Sequence, residues 1–288
     1  MWDELLALGS DVRLEPGYSD ALTVARETMR RARKTIEELI QRLLSLGFVF
    51  GYDQHLMHIV RRIQQGTTNW TDYLGSLDWV RQQPPLFLPA TVMEDELIFA
   101  VRHQLTHDAD VFRQERRDDP TNPPVMVDYL HELEREVGPV PLSIRAWYEE
   151  VGAVNFYGYH PRWPSMSYCD PLQICVLDQQ WRAHVEMASD RSLVFFFAED
   201  QYFKDNVSGA VTPYAFTIPD TNTDAVLFYR AAFPQGAPLT FVQYLRWSLL
   251  HWAGFPGMAE WDAFPGWPDS VTLLQDDLAV LTKDLTPF

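Results

Sequence analysis

Apolar residues recur at helical spacing from Leu22 to Leu46. Leu22, Ala25, Met29, Ala32, Ile36, Leu39, Leu43 and Leu46 step by three or four and form one seam. Arg30, Arg31, Arg33, Lys34, Glu37 and Glu38 populate the other faces. The spacing predicts a helix over about 19–46, capped by Ser19, with Asp20 in its first turn and Gly47 as its stop. Such a seam normally lies against its own domain, which is the expectation here. The alternative is a coiled-coil face through which a scaffold dimerises.

The pattern then loses its regularity. Residues 48–52 suit a short strand. Residues 53–120 read as helical and irregular, broken at Gly66, Gly75 and Pro84-Pro85. Asp118-Asp119-Pro120-Thr121-Asn122-Pro123-Pro124 is a polar, proline-rich linker. It divides a helical N-terminal region, 1–120, from a second domain, 121–288. Two helices are expected next, over about 125–137 and 142–152.

From there the period shortens to that of strands, over 153–157, 172–177, 193–197, 214–218 and 225–229. Turn pairs such as Asp170-Pro171, Asp205-Asn206, Ser208-Gly209 and Pro219-Asp220 separate them. Residues 181–187 suit a short helix or a strand. An amphipathic helix over about 240–252 closes the sheet. Helices, then strands, then a helix, without a βαβ repeat, predict an α+β fold. The expected architecture is a mostly antiparallel twisted sheet flanked by helices, with an N-terminal helical extension.

Charge narrows the function classes. The chain of 288 residues carries a net charge of −17. Nucleic-acid affinity rests on Lys and Arg neutralising phosphates, so this balance argues against nucleic acid and against anionic lipid. It favours a basic protein as partner. Residues 1–90 are net −1, 91–140 net −7 and 141–288 net −9, which points to the C-terminal two-thirds as the place for such a partner. The chain is expected to be a monomer or a dimer. Two cysteines, Cys169 and Cys175, make neither a disulfide framework nor a zinc site. Met1-Trp2-Asp3-Glu4 has no basic leader, and the densest apolar run, Leu193–Ala198, has six residues. A cytoplasmic protein is the expectation.

Motifs that carry chemistry are sparse. Gly51, Gly152 and Gly158 are isolated and form no phosphate loop. Val207-Ser208-Gly209-Ala210 lacks the first glycine of a nucleophile elbow. The carboxylate neighbours Glu149-Glu150, Glu199-Asp200 and Asp276-Asp277 point away from each other and make poor acid–base pairs. His103 and His107 are spaced i, i+4, and His55 and His58 are three apart. These four histidines define the alternative function, a metal-dependent hydrolase. Otherwise no cofactor is expected. Phe156-Tyr157-Gly158-Tyr159-His160-Pro161-Arg162-Trp163-Pro164 is rigid and aromatic-rich. Tyr157, Tyr159, Arg162 and Trp163, with Glu199 and Asp200, are the candidate partner contacts, because Trp, Tyr and Arg anchor interfaces. The competing reading has these aromatics capping the open end of the sheet.

The stretch Val140-Pro141-Leu142-Ser143-Ile144-Arg145-Ala146-Trp147-Tyr148-Glu149-Glu150-Val151-Gly152-Ala153-Val154-Asn155-Phe156 resembles the N-terminal signature of the SUKH superfamily, proteins akin to the Smi/Knr fungal cell-wall regulator. The resemblance continues through Asp170-Pro171-Leu172, through Asp205-Asn206-Val207-Ser208-Gly209 with Tyr214, and through Phe241-Val242-Gln243-Tyr244-Leu245-Arg246 before Gly254-Phe255-Pro256-Gly257. It covers about residues 125–260. Where the family usually carries two glycines after the first helix, this chain has Gly152-Ala153. The resemblance implies a SUKH-like α+β fold and a non-enzymatic role. Bacterial members are commonly immunity proteins that neutralise polymorphic toxins, often nucleases, and others are regulatory interaction modules. The family shares no catalytic residues, so none transfers.

Overall fold

The computed structural model describes residues 2–14, 16–50, 86–88, 126–156, 158–160, 162–163, 169–174, 177, 185–187, 193–198, 214–227, 239–258 and 269–288. Over these the chain is a mixture of helices and antiparallel strands, an α+β arrangement. The linker 118–124 lies outside the described residues.

The spine is α2 (Gly17–Leu46), preceded by α1 (Trp2–Leu6) and a 3-10 turn (Gly9–Arg13). Ser19 was expected to cap α2, but the helix starts two residues earlier, after Pro16. Pro16 offers no side-chain cap, and the first helical N–H, that of Gly17, donates to the Leu14 carbonyl at 3.0 Å. Ser19 instead offers its carbonyl to the Thr23 hydroxyl at 2.8 Å. At the other end Gly47, with φ +88°, closes the helix as expected. Ala25, Met29, Ala32, Ile36, Leu39 and Leu43 are fully buried inside this chain. The seam therefore faces its own core and is not a coiled-coil face.

Helices α3 (Met126–Glu136) and α4 (Leu142–Glu150) follow the expected positions. Polar contacts lock α4 across α2. Arg26 Nε meets Glu149 at 2.6 Å, and Arg30 Nε meets Glu150 at 3.0 Å. Arg33 donates to the Glu150 carbonyl at 3.2 Å. Arg145 joins Glu149 and, from α3, Glu134 at 2.8 Å. Glu149 and Glu150 do serve separate partners, but both reach the same helix. Gly152 (φ +92°) makes the turn alone, and Ala153 enters the strand.

All described pairings are antiparallel, yet the strands form three small sheets among the described residues rather than one meander. In the first, β1 (Val49–Phe50) pairs β4 (Gly158–Tyr159). In the second, β2 (Leu86–Leu88) pairs β3 (Ala153–Asn155), which pairs β5 (Gln173–Ile174). In the third, β7 (Leu193–Ala198) lies between β6 (Val185–Met187) and β8 (Tyr214–Ile218), with an irregularity at Phe196/Ala198. At 86–88 strand β2 replaces the helical and irregular pattern expected over 53–120, because an isolated Leu-Phe-Leu run has too short a period to separate strand from helix, and the rest of that range lies outside the described residues. Of the strand expected over 225–229, the described residues 225–227 carry one bridge, Val226 to Thr240.

Helix α5 (Phe241–Arg246) opens with a reciprocal cap. Gln243 N–H donates to the Thr240 hydroxyl at 3.5 Å, and Thr240 N–H donates to Gln243 Oε1 at 3.1 Å. It continues as a π turn, Trp247–His251. A last helix, α6 (Asp269–Thr282), was not expected from the sequence. Its C-terminal carbonyls are held by α2: Arg42 donates to Leu281 O at 2.7 Å and Lys283 O at 2.6 Å. A guanidinium there also complements the negative end of the helix dipole.

One core joins these parts. Residues from Trp2 to Phe48 and from Tyr129 to Phe288 share it, with Trp147, Tyr148, Tyr214, Tyr244, Phe197, Phe216, Phe241 and Phe255 at its centre. Trp147 meets Phe241 edge-on at 5.4 Å. Each such ring contributes about 1.5–3 kcal/mol of burial, so the core and not the short ladders holds the fold.

Candidate functional site

The described residues of the aromatic segment singled out from the sequence sit where the end of α2, the turn carrying Phe255 and α6 meet. Trp163 was expected at the surface as a partner anchor. It is 3% exposed and packs against Phe48 (5.4 Å), Phe255 (5.6 Å) and His160 (4.6 Å between centroids). Its indole N–H donates to Asp277 of α6 at 2.7 Å. A buried indole needs an acceptor, and Asp277 provides it. Arg162 stays exposed but pairs with the same carboxylate at 3.2 Å. Tyr159 lies in β4 opposite Val49. Tyr157, Glu199 and Asp200 lie outside the described residues, as do His55, His58, His103 and His107.

His160 is 2% exposed. Its Nε2 lies 2.9 Å from the Leu46 carbonyl, which only accepts, so Nε2 carries the proton. Nδ1 then accepts the Arg162 N–H at 3.3 Å. Both ring positions are used by the neutral form. Burial pushes the imidazole pKa below its ordinary value, and nearby Arg162 adds to this, against the Leu46 bond and Asp277. The folded pKa is depressed, so the unfolded chain binds the extra proton. Stability from His160 is present above the ordinary imidazole pKa and is lost as pH falls below it.

Asp277 thus ties the segment to α6, and neither its role nor that of His160 was legible in the sequence. Asp277→Ala leaves the Trp163 N–H buried without an acceptor. It should cost roughly 1–3 kcal/mol. Urea denaturation measures that loss, and faster amide exchange across 269–282 should accompany it.

A second node lies behind this one. The Tyr214 hydroxyl donates to Asp170, which is buried and adopts a left-handed φ of +45°. Leu172 N–H donates to the Gly254 carbonyl at 2.7 Å, and Gly257 N–H to the Cys169 carbonyl at 3.0 Å. Phe156 packs on Phe255 at 6.2 Å, and Tyr214 on Tyr244 at 5.0 Å. Segments distant in sequence therefore converge around Asp170. Cys169 is buried and reduced, and Cys175 lies outside the described residues. Among the described residues no group of three His, Cys, Asp or Glu side chains is placed to hold a metal ion. None of the described helices is long and apolar enough to cross a membrane.

A cleft of about 180 Å³ opens between α1, α2 and the C-terminal residues, beside Trp2, Thr28 and Phe288. Its charges are internally matched: Arg246 with Asp3 at 3.1 Å, and Arg31 with Glu27 at 2.9 Å. The same holds widely. Nine of the ten arginines among the described residues lie within 4.0 Å of a carboxylate. The tenth, Arg13, turns to backbone carbonyls. These nine described cations are matched inside the chain, and the whole chain carries a net charge of −17.

Comparison of the chain with protein-family models, with curated proteins and with solved structures found no match in any of the three.

Proposed function

We propose that this chain is a non-enzymatic binding module for a basic protein, of the immunity type that neutralises a toxin or of the regulatory type, on a SUKH-like fold. The observation that carries the reading is the charge: −17 overall, with the described arginines engaged inside the chain. Such a surface repels nucleic acid and anionic lipid, and it accelerates encounter with a cationic partner. The convergence of Asp170, Leu172, Tyr214, Gly254 and Gly257 supports the fold assignment, because these residues belong to the separate stretches that resemble the superfamily.

The test is affinity capture from the native host at low and high salt, read by mass spectrometry. The expected result is one basic protein in stoichiometric amount, released as salt rises through the range where the screening length shrinks below about 10 Å. Produced alone, that protein should arrest growth, and co-production of this chain should relieve the arrest. Capture of no basic protein in several growth states would overturn the reading. A captured protein that is harmless alone would leave only the regulatory form.

A further inference from the structure

We infer that His160 is an acid-released latch: its neutral ring holds the turn of Trp163 against the end of α2 and against α6, and protonation frees that turn while the helical core stays folded. The turn is fastened at three places. Strand β4 pairs β1 over two residues, Gly158 to Phe50 and Tyr159 to Val49. His160 Nε2 donates to the Leu46 carbonyl at 2.9 Å, and Nδ1 accepts the Arg162 N–H at 3.3 Å. Asp277 of α6 takes the Trp163 indole N–H at 2.7 Å and the Arg162 guanidinium at 3.2 Å. A two-residue ladder is marginal by itself, so the ring packing and the two polar ties hold the turn in place.

The middle tie is the one that acid removes. Both ring nitrogens are matched only in the neutral form, because Nδ1 must keep its lone pair for the Arg162 N–H. A proton on Nδ1 meets that N–H donor against donor and finds no other acceptor among the described residues. The new charge is also shut away from water, since His160 is 2% exposed and lies against the Trp163 ring.

The charged groups around the ring do not reverse this. From α2 comes the Leu46 carbonyl, at the negative end of that helix; from α6 comes Asp277; from the turn itself comes Arg162. Phe48 and Phe255, packed on Trp163, bring no charge. The carbonyl and Asp277 favour the imidazolium and Arg162 opposes it, but burial is the largest influence and the pKa stays below its ordinary value. The latch is therefore at full strength above the ordinary imidazole pKa and weakens as pH falls through the folded one, by at most tenfold in the opening equilibrium per pH unit.

Release is local because the helices are fastened by other means. The crossing of α2 and α4 rests on Arg26 with Glu149 and Arg30 with Glu150, and no residue of the turn takes part in it. A segment with few attachments of its own opens at a lower free energy than the whole.

Native-state hydrogen exchange read by NMR on the full chain, as protection relative to an unstructured chain at each pH, tests the latch from pH 7.5 to pH 5. Protection of the Trp163 indole N–H and of the Arg162 amide should fall severalfold, while the amides of α4 keep theirs. His160→Gln keeps a donor for the Leu46 carbonyl and cannot take up the proton, so its turn should show no such fall. Asp224 titrates in the same window but is present in both proteins, so it does not account for a difference between them. Titration of the His160 ring itself, followed by its Cε1 proton shift, should have its midpoint below the ordinary value and coincide with the loss of protection. That measurement needs only the wild type and holds even where the variant does not fold. Constant protection of Trp163 across this range, an equal fall in His160→Gln, an equal fall across α4, or a His160 midpoint at or above the ordinary value would each overturn the latch.

Discussion

Gly254→Ala should destabilise the protein by roughly 3–4 kcal/mol. Two costs combine at this position. Gly254 has φ +92°, a backbone conformation that a side chain rarely adopts. A Cβ built there overlaps the ring of Phe156, which is itself fully buried. The backbone cannot shift to relieve the overlap, because the Gly254 carbonyl accepts the Leu172 N–H at 2.7 Å and its own N–H donates to the Ser248 carbonyl at 2.7 Å. The ring cannot swing freely either, since Phe255 packs against it. Gly17→Ala is the internal contrast. Gly17 opens α2, and nothing lies within 4 Å of the added methyl. That variant should be neutral or more stable by a few tenths of a kcal/mol. Guanidinium unfolding of both measures the difference. Equal stability of the two would show that the turn at Ala253–Gly254 is looser than its geometry implies.

Asp224→Asn should become progressively more stable than the wild type as pH rises, gaining about 2.4 kcal/mol between pH 4 and pH 7. Asp224 is buried before α5, where its two oxygens accept the Val242 N–H at 3.4 and 3.2 Å. Removal from water dominates and pushes its pKa from 3.8 up to about 6, against hydrogen bonds from Ser143, Thr240 and two backbone N–H groups. A carboxyl with a raised folded pKa binds its proton more tightly in the native state. Its contribution is therefore greatest below pH 3.8 and is lost as pH climbs through 6. Asparagine keeps an acceptor for the helix N–H groups without the charge, so the two proteins should match at pH 4 and diverge above it. His160 acts in the opposite sense, because its contribution is lost as pH falls. Thermal melts of wild type and Asp224→Asn from pH 4 to 8 isolate the aspartate term. A pH-independent difference between them would mean that water reaches the Asp224 carboxylate.

The helices were legible in the sequence because their determinants are local. The seam of α2, its stop at Gly47, the two helices before the sheet and the strands Leu193–Ala198 and Tyr214–Ile218 all follow from periods and terminators within one segment. Net charge was legible for the same reason, since it is a sum. Helix α6 was missed, because Thr272-Leu273-Leu274-Gln275-Asp276-Asp277-Leu278 carries acids through its apolar spacing and no glycine follows Thr282 to mark its end. Strand partners were not legible either. Alternation says which face is apolar but not which distant segment will pair, so the match of Leu86–Leu88 to Ala153–Asn155 is a tertiary result.

The candidate contacts show the same division. Sequence marked the aromatic segment, but only the fold decided that Trp163 points inward to Asp277 while Arg162 stays outside. Phe48, Phe255 and Asp277 come from three remote stretches, and together they set the burial and the hydrogen bonding of that indole. Composition determined that the protein is acidic. Tertiary structure determined which cations are neutralised within it, because an ion pair such as Arg26 with Glu149 depends on two helices crossing at a distance of 2.6 Å between charged atoms. Residue type is a local property and partner identity is not, and that is the physical boundary between the two.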